Sequence, residues 1–282
     1  MTSKIKIALA QFAMTDEPKE NLDKALTYIR RAAEREAQVV CLPELFRSPY
    51  FCVEESCPRD YSERLDGETK TVIGEVAKSG KIAVIAGSIY EDCDNKKYNT
   101  AMVFNAKGEM LGAYRKTHIP HDPAFFEMNY FEPGDSGFKV FDLGFAKVAA
   151  LICYDQWFPE AARACALMGA DIIFYPTAIG NVNGIEPTEG NWQEAWENVQ
   201  RGHAIANCLV VAAVNRVGIE GKSTFWGGSF VCNAFGKTLV RGGVAEELIV
   251  QEIDLEHSRQ VRESWRFFPS RRPGAYKGLS SD

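Results

Sequence analysis

The sequence predicts an α/β domain whose sheets carry helices on their outer faces. Short apolar strand-like runs alternate with amphipathic helical segments. The crossovers between successive strands are long enough for parallel or mixed pairing. No linker, internal repeat or low-complexity block divides the 282 residues, so one domain covering 1–282 is expected.

The elements follow in order. Ile5 to Gln11 reads as a buried strand, and Asn21 to Glu36 as a helix with Leu22, Ala25, Leu26, Ile29, Ala32 and Ala33 on one face and Asn21 as its N-cap. Val39 to Leu42 is a short apolar strand stopped by Pro43, which leaves Glu44 just past its end. The rhythm repeats in a helix from Thr69 to Ser79, closed by Gly80, and a strand from Ile82 to Tyr90. Strands at Asn99 to Asn105 and Met110 to Tyr114 flank the turn Ala106-Lys107-Gly108-Glu109, with Lys116 at the end of the second. His118 to Ser136 has no periodicity and reads as a long loop that its aromatic residues hold in place.

Further strands are expected at Phe138 to Asp142 and Lys147 to Ile152, followed by a helix from about Pro159 to Met168. This sets Cys153 at a strand-to-helix junction. Ile172 to Tyr175 is a strand, Ala178 to Asn191 a Gly- and Asn-rich loop, and Trp192 to Asn207 a helix. Leu209 to Val217, Gly228 to Cys232 and Leu248 to Asp254 complete the strands, before a short helix and a basic, aromatic tail after His257.

Composition narrows the function. A net charge of -6 and an isoelectric point near 5.4 lack the basic footprint of a nucleic-acid partner. No apolar run approaches bilayer-spanning length, and the N-terminus has no signal-peptide pattern, so no membrane partner and a cytoplasmic location are expected. The eight cysteines contain no C-x-x-C pair and no Cys/His cluster at zinc spacing, which argues against a metal. Cys41, Cys165, Cys208 and Cys232 sit in apolar runs as buried thiols.

Three ionisable residues occupy equivalent places, each just past a strand: Glu44, Lys116 and Cys153. Strand ends are where α/β folds gather catalytic groups. A cysteine nucleophile needs a base or a positive charge beside it, and a carboxylate and an ammonium are the two groups on offer. His118 and His121 suggest a rival Cys–His arrangement, which leaves the Pro43-Glu44 segment without a role. His203 reads as an internal hydrogen-bonding residue.

The segments Cys41-Leu42-Pro43-Glu44-Leu45-Phe46, Tyr114-Arg115-Lys116-Thr117-His118-Ile119-Pro120 and Ile152-Cys153-Tyr154-Asp155-Gln156-Trp157-Phe158-Pro159-Glu160 resemble, in order and spacing, the three signature segments of the nitrilase superfamily. The likeness extends through Phe131-x-Pro133-Gly134-Asp135, Phe174 to Gly180, and Arg201 to Asn207. Asp155 to Arg163 and the ending Phe268-Pro269-Ser270-Arg271-Arg272-Pro273 are most similar to the branch that hydrolyses N-carbamoylputrescine.

This resemblance implies a four-layer α-β-β-α sandwich and a homodimer or higher homo-oligomer, with the tail from about residue 257 in subunit contacts. It implies hydrolysis of a non-peptide C–N bond in a small molecule without a cofactor. Cys153 is the implied nucleophile, and Glu44 the base. Lys116 and the backbone N–H of Tyr154 stabilise the oxyanion, while Glu127 supports the lysine and positions substrate.

The residues after Cys153 offer no cation to grip a substrate carboxylate, which favours an N-carbamoyl amine. Asp122, Glu186 and Glu189 in the two long loops are candidates to attract its amine tail. Where the branch carries His-Ile-Pro-Asp-Gly-Pro-Gly, this chain reads His118-Ile119-Pro120-His121-Asp122-Pro123-Ala124, and Trp226 is a bulky ring that either reshapes a pocket or packs in the core. Other carbamoyl compounds, simple amides and nitriles are alternative substrates. A binding module that does no chemistry, or a redox-sensing thiol at Cys153, are alternatives of another class.

Overall fold

The computed structural model describes residues 4–280. Strand β1 (Lys4–Gln11) enters helix α1 (Pro18–Glu34) and returns as β2 (Val39–Cys41); α2 (Glu68–Gly80) leads to β3 (Ala83–Cys93), β4 (Lys96–Phe104) and β5 (Met110–Arg115). Then come β6 (Phe141–Asp142), β7 (Lys147–Ala150), α3 (Pro159–Leu167), β8 (Ile172–Pro176), β9 (Gly180–Val182) and α4 (Trp192–Asn207). Strands β10 (Val210–Val214), β11 (Val217–Glu220), β12 (Ser223–Trp226), β13 (Phe230–Cys232), β14 (Thr238–Arg241) and β15 (Glu247–Asp254) precede α5 (Leu255–Trp265).

Two six-stranded sheets form, in the orders β15-β1-β2-β3-β4-β5 and β14-β13-β10-β8-β7-β6, with a small third sheet, β11-β12-β9. Alternation along the strands explains how they stack. Ile7 and Leu9 of β1 face the other sheet and join Val148, Ala150, Ile172, Phe174 and Val211 in one core, while Ala8 and Ala10 turn the other way onto Leu22, Ala25 and Ile29 of α1 and Ile73 and Ala77 of α2. Helices α3 and α4 cover the far side of the second sheet through Ala161, Ala162, Cys165 and Ala204. The layers run α-β-β-α, as expected.

Several local expectations give way. Asn21 is not a cap: α1 starts at Pro18, which sets the first-turn φ, and Asn21 lies buried within the helix, bonded to Thr15 and the Arg47 carbonyl. Gly80 lies inside α2, and Lys81 takes the left-handed position after it. Leu209 to Val217 is not one strand; the chain leaves the second sheet after Val214 and enters the third at Val217. The reason is polar. Asn215 turns its side chain onto the backbone of Ile179 and Gly227, which interrupts an otherwise continuous apolar run. Strand pairing also claims part of the second long loop as β9, and the segment 238–241 as β14.

Candidate active site

Glu44 lies in the turn after β2. The turn fits because β3 bulges between Ala86 and Ile89, and Gly87 within the bulge, at φ +31, leaves room for the Pro43 carbonyl; a Cβ there would stand 1.9 Å from that oxygen. Ser88 then holds the turn, accepting the Leu45 N–H at 2.9 Å on its hydroxyl. Leu45 is left-handed, at φ +46.

Lys116 follows β5 and is tied to β4 by its N–H, which donates to the Asn99 carbonyl at 2.8 Å. Its Nζ donates to Glu44 Oε1 at 2.9 Å and to Glu127 Oε2 at 2.6 Å. All three side chains are at most 1% exposed. Asn99 Nδ2 donates to the same Glu44 Oε1 at 2.8 Å, and the Tyr50 hydroxyl donates to Glu127 Oε1 at 2.8 Å. Glu44 Oε2, buried, has no hydrogen-bond partner among the described residues. One oxygen of the carboxylate is clamped and the other left available.

Cys153 opens a 3₁₀ turn, Cys153–Trp157, between β7 and α3. Its φ of +41 is a left-handed conformation that costs a non-glycine residue on the order of 1 kcal/mol. Asp155 holds this turn: its carboxylate accepts from Ile152 N at 3.0 Å, Tyr114 OH at 2.8 Å and His118 N at 3.1 Å, and pairs with His118 Nδ1 at 2.7 Å. One buried carboxylate therefore fixes the Lys116 segment relative to the Cys153 turn. His118 is occupied by Asp155 and stacks on Phe158 at 3.7 Å. His121 lies on the surface, and His203 pairs with the Gln156 carbonyl. No histidine is hydrogen-bonded to Cys153 among the described residues, so the Cys–His arrangement finds no support.

Burial, then the Glu44 carboxylate, hold the Cys153 thiol well above its ordinary pKa, and Lys116 only partly offsets them. Lys116 does favour the thiolate, but desolvation and two carboxylates outweigh one ammonium. For Lys116 burial disfavours the charge, but Glu127 and then Glu44 outweigh it and raise the pKa well above normal. Burial raises Glu127 to about 7 against the pull of Lys116.

A cavity of about 510 Å³ exposes Cys153 and Glu127. Tyr154, Trp157, Phe125, Ile179, Ile185 and Trp192 give it apolar walls, and Asp122 and Glu189 are its other carboxylates; no Lys or Arg lines it. Glu189 is hydrogen-bonded to the Trp192 indole. Glu186 is exposed and lies outside the lining, although Ile185 and Glu189 on either side of it belong to the lining. Trp226 is in the core against Trp196, not in the cavity.

Sequence reasoning passed over Asn99, Tyr50 and Gly87. Gly87 interrupts the apolar strand Ile82 to Tyr90, a pattern that signals a bulge or a close backbone approach. Asn99 and Tyr50 carried no comparable mark.

Residues 6–263 match the family model for carbon-nitrogen hydrolases. The chain belongs to the carbon-nitrogen hydrolase family. A rice N-carbamoylputrescine amidase is 40% identical over 98% of this chain and 95% of its own length, and a citrullinase from Francisella tularensis is 35% identical over 96% of each. Among solved structures, a carbon-nitrogen hydrolase from Helicobacter pylori superposes with a TM-score of 0.93 at 38% identity, covering 99% of both chains. An amidase from Nesterenkonia, whose active-site cysteine carries a covalently added acetamide moiety, superposes at 0.81 with 27% identity, covering 97% of this chain and 96% of its own. This carbon-nitrogen hydrolase has the nitrilase-superfamily fold. No helix among the described residues is long and apolar enough to cross a membrane.

Proposed function

We propose that this carbon-nitrogen hydrolase cleaves an N-carbamoyl amine such as N-carbamoylputrescine through a covalent intermediate on Cys153. The buried Glu44–Lys116–Glu127 chain beside a cavity that exposes Cys153 carries this reading. Because the resting thiol is held protonated, its proton leaves as Sγ attacks the carbonyl, and the unpartnered Glu44 Oε2 is the acceptor. Lys116 Nζ and the Tyr154 N–H stabilise the oxyanion. Glu44 returns the proton to the departing nitrogen, and the C–N bond breaks to leave a thioester. Glu44 next takes a proton from water, whose oxygen adds to the thioester and expels the thiol. The product that leaves Cys153 is a carbamic acid, whose remaining C–N bond breaks as it loses carbon dioxide, so that one carbamoyl amine and one water give amine, carbon dioxide and ammonia. Glu127 keeps Lys116 in place and meets the substrate from the cavity floor.

The amine tail lies along the apolar walls and ends near Asp122 and Glu189. With no cation lining the cavity, a substrate ending in a lone carboxylate has no partner there. We further read residues 1–282 as one domain of a homo-oligomeric cytoplasmic enzyme with its tail in subunit contacts; Phe235 and Trp265, ring to ring at 5.3 Å yet about half exposed, support such a contact. Ammonia release measured across N-carbamoylputrescine, citrulline, other carbamoyl amino acids, simple amides and nitriles tests the substrate. N-carbamoylputrescine is expected to give the highest kcat/KM, and preference for an acidic carbamoyl amino acid overturns the reading.

A further inference from the structure

Arg216 is one of the largest fully buried side chains in the molecule, and it touches neither the cavity nor Cys153. Its guanidinium reaches across to the turn after β2, where Nη2 donates to the carbonyls of both Glu44, at 2.5 Å, and Leu45, at 3.0 Å. Nη1 donates to the Ser48 carbonyl at 3.3 Å and to Glu220, 2.9 and 2.7 Å from its two oxygens. The Phe225 ring lies 5.2 Å from the guanidinium carbon. Glu220 Oε2 accepts in turn from the Tyr50 N–H at 2.6 Å, and the hydroxyl of the same Tyr50 holds Glu127.

From these contacts we infer that Arg216 and Glu220 form a positioning brace for the catalytic carboxylates, an inference that rests on the proposed role of Glu44 as base. A buried charge is costly to desolvate, and a pair of this kind is more often neutral than stabilising compared with apolar residues. Its geometry shows a more specific use. Two of the three carbonyls that Arg216 gathers, those of Glu44 and Leu45, bracket the backbone of Leu45, whose left-handed φ turns the chain away from Glu44. Pinning both sides of that residue fixes the direction in which the Glu44 side chain leaves the backbone. One oxygen then meets Lys116 and Asn99, and the other stays free. Glu220 neutralises the guanidinium, so the brace adds no net charge behind the base, and it carries the same restraint to Glu127 through Tyr50. Only a planar fork with several donors spans three carbonyls and a carboxylate at once; an ammonium does not.

The test compares Arg216→Lys, Glu220→Gln, Glu44→Gln and the double variant Arg216→Lys/Glu44→Gln, with urea unfolding to establish that each is folded. N-carbamoylputrescine is the probe. In folded Arg216→Lys and Glu220→Gln, kcat is expected to fall about 100-fold, the scale of a misplacement near 1 Å, with KM changed less than about threefold. The double variant is expected to be no slower than Glu44→Gln alone, since a brace has nothing left to aim once the base is removed. A purely structural role predicts losses that multiply. Unchanged kcat in either folded brace variant, or multiplied losses, overturns the inference. Cys153→Ala separates the two readings: turnover there unseats the cysteine mechanism, whereas an inactive Cys153→Ala beside a fully active Arg216→Lys unseats only the brace.

Discussion

Lys116 and Glu127 form an ion pair at 2.6 Å with both side chains essentially withdrawn from solvent. Glu44 shares the same ammonium, so a single cation balances two buried carboxylates. Replacing Lys116 by Met leaves both without it. Removing one partner of a buried pair costs about 3–5 kcal/mol, and urea unfolding should show a loss of that size together with the disappearance of turnover. A Lys116→Met protein as stable as the wild type would mean that the carboxylates are neutral in the folded chain.

The Glu127 carboxyl, raised by burial from 4.5 to about 7, gives a sign that can be checked. The native state binds this proton more tightly than the unfolded chain does. Its contribution to stability is therefore full below about 4.5 and is lost as pH rises to about 7. Since Glu127→Gln cannot titrate, the stability of wild type minus that of the variant should decline over this window. Activity moves the other way: protonation below about 7 weakens the hold on Lys116, so the acid limb of the rate profile should fall there and be missing from the residual activity of Glu127→Gln.

The Cys153 thiol rests protonated, held so by burial and then by Glu44. In the absence of substrate, its alkylation by iodoacetamide, followed by peptide mass, should keep accelerating as pH rises past 9. A plateau near neutral pH would reveal a preformed thiolate and require a different first step.

Asp122 stands at the surface of the cavity, where solvent weakens its attraction for a cation. Asp122→Asn should raise KM for N-carbamoylputrescine by about three- to tenfold and leave kcat nearly constant. The KM for a carbamoyl amine with a neutral tail should not move. Equal effects on both substrates would assign Asp122 to loop structure instead.

Gly87 offers a probe of how the Glu44 turn is seated. Its Cβ position lies 1.9 Å from the Pro43 carbonyl, so Gly87→Ala must displace the segment just before Glu44. A loss of about 3 kcal/mol in unfolding free energy and a fall in kcat larger than any rise in KM are expected. Wild-type kinetics in a folded Gly87→Ala would show that the Glu44 turn moves independently of the β3 bulge.

The alternation of Ile7 and Leu9 against Ala8 and Ala10 is written locally, and so are the helical faces of α1 and α2, which is why the layers were legible before any coordinates. The strand-end positions of Glu44, Lys116 and Cys153 were legible for the same reason, since an apolar run and the residue that stops it are neighbours in the chain. Asn21 misled because a polar residue at a helix start reads as a cap; only the fold supplies the Thr15 and Arg47 partners that it meets. Leu209 to Val217 misled because apolarity alone does not reveal that Asn215 will turn the chain into another sheet.

What the sequence determined by itself was the α/β layering and the strand-end places of Glu44, Lys116 and Cys153, because periodicity and strand ends are short-range properties. Tertiary structure decided the electrostatics: which Glu44 oxygen is clamped, that burial and the carboxylates raise the Cys153 thiol pKa, and that Arg216 meets the Glu44 carbonyl 172 positions away. Burial and charge coupling depend on distances through space, and residues far apart in the chain acquire those distances only when the two sheets close on one core.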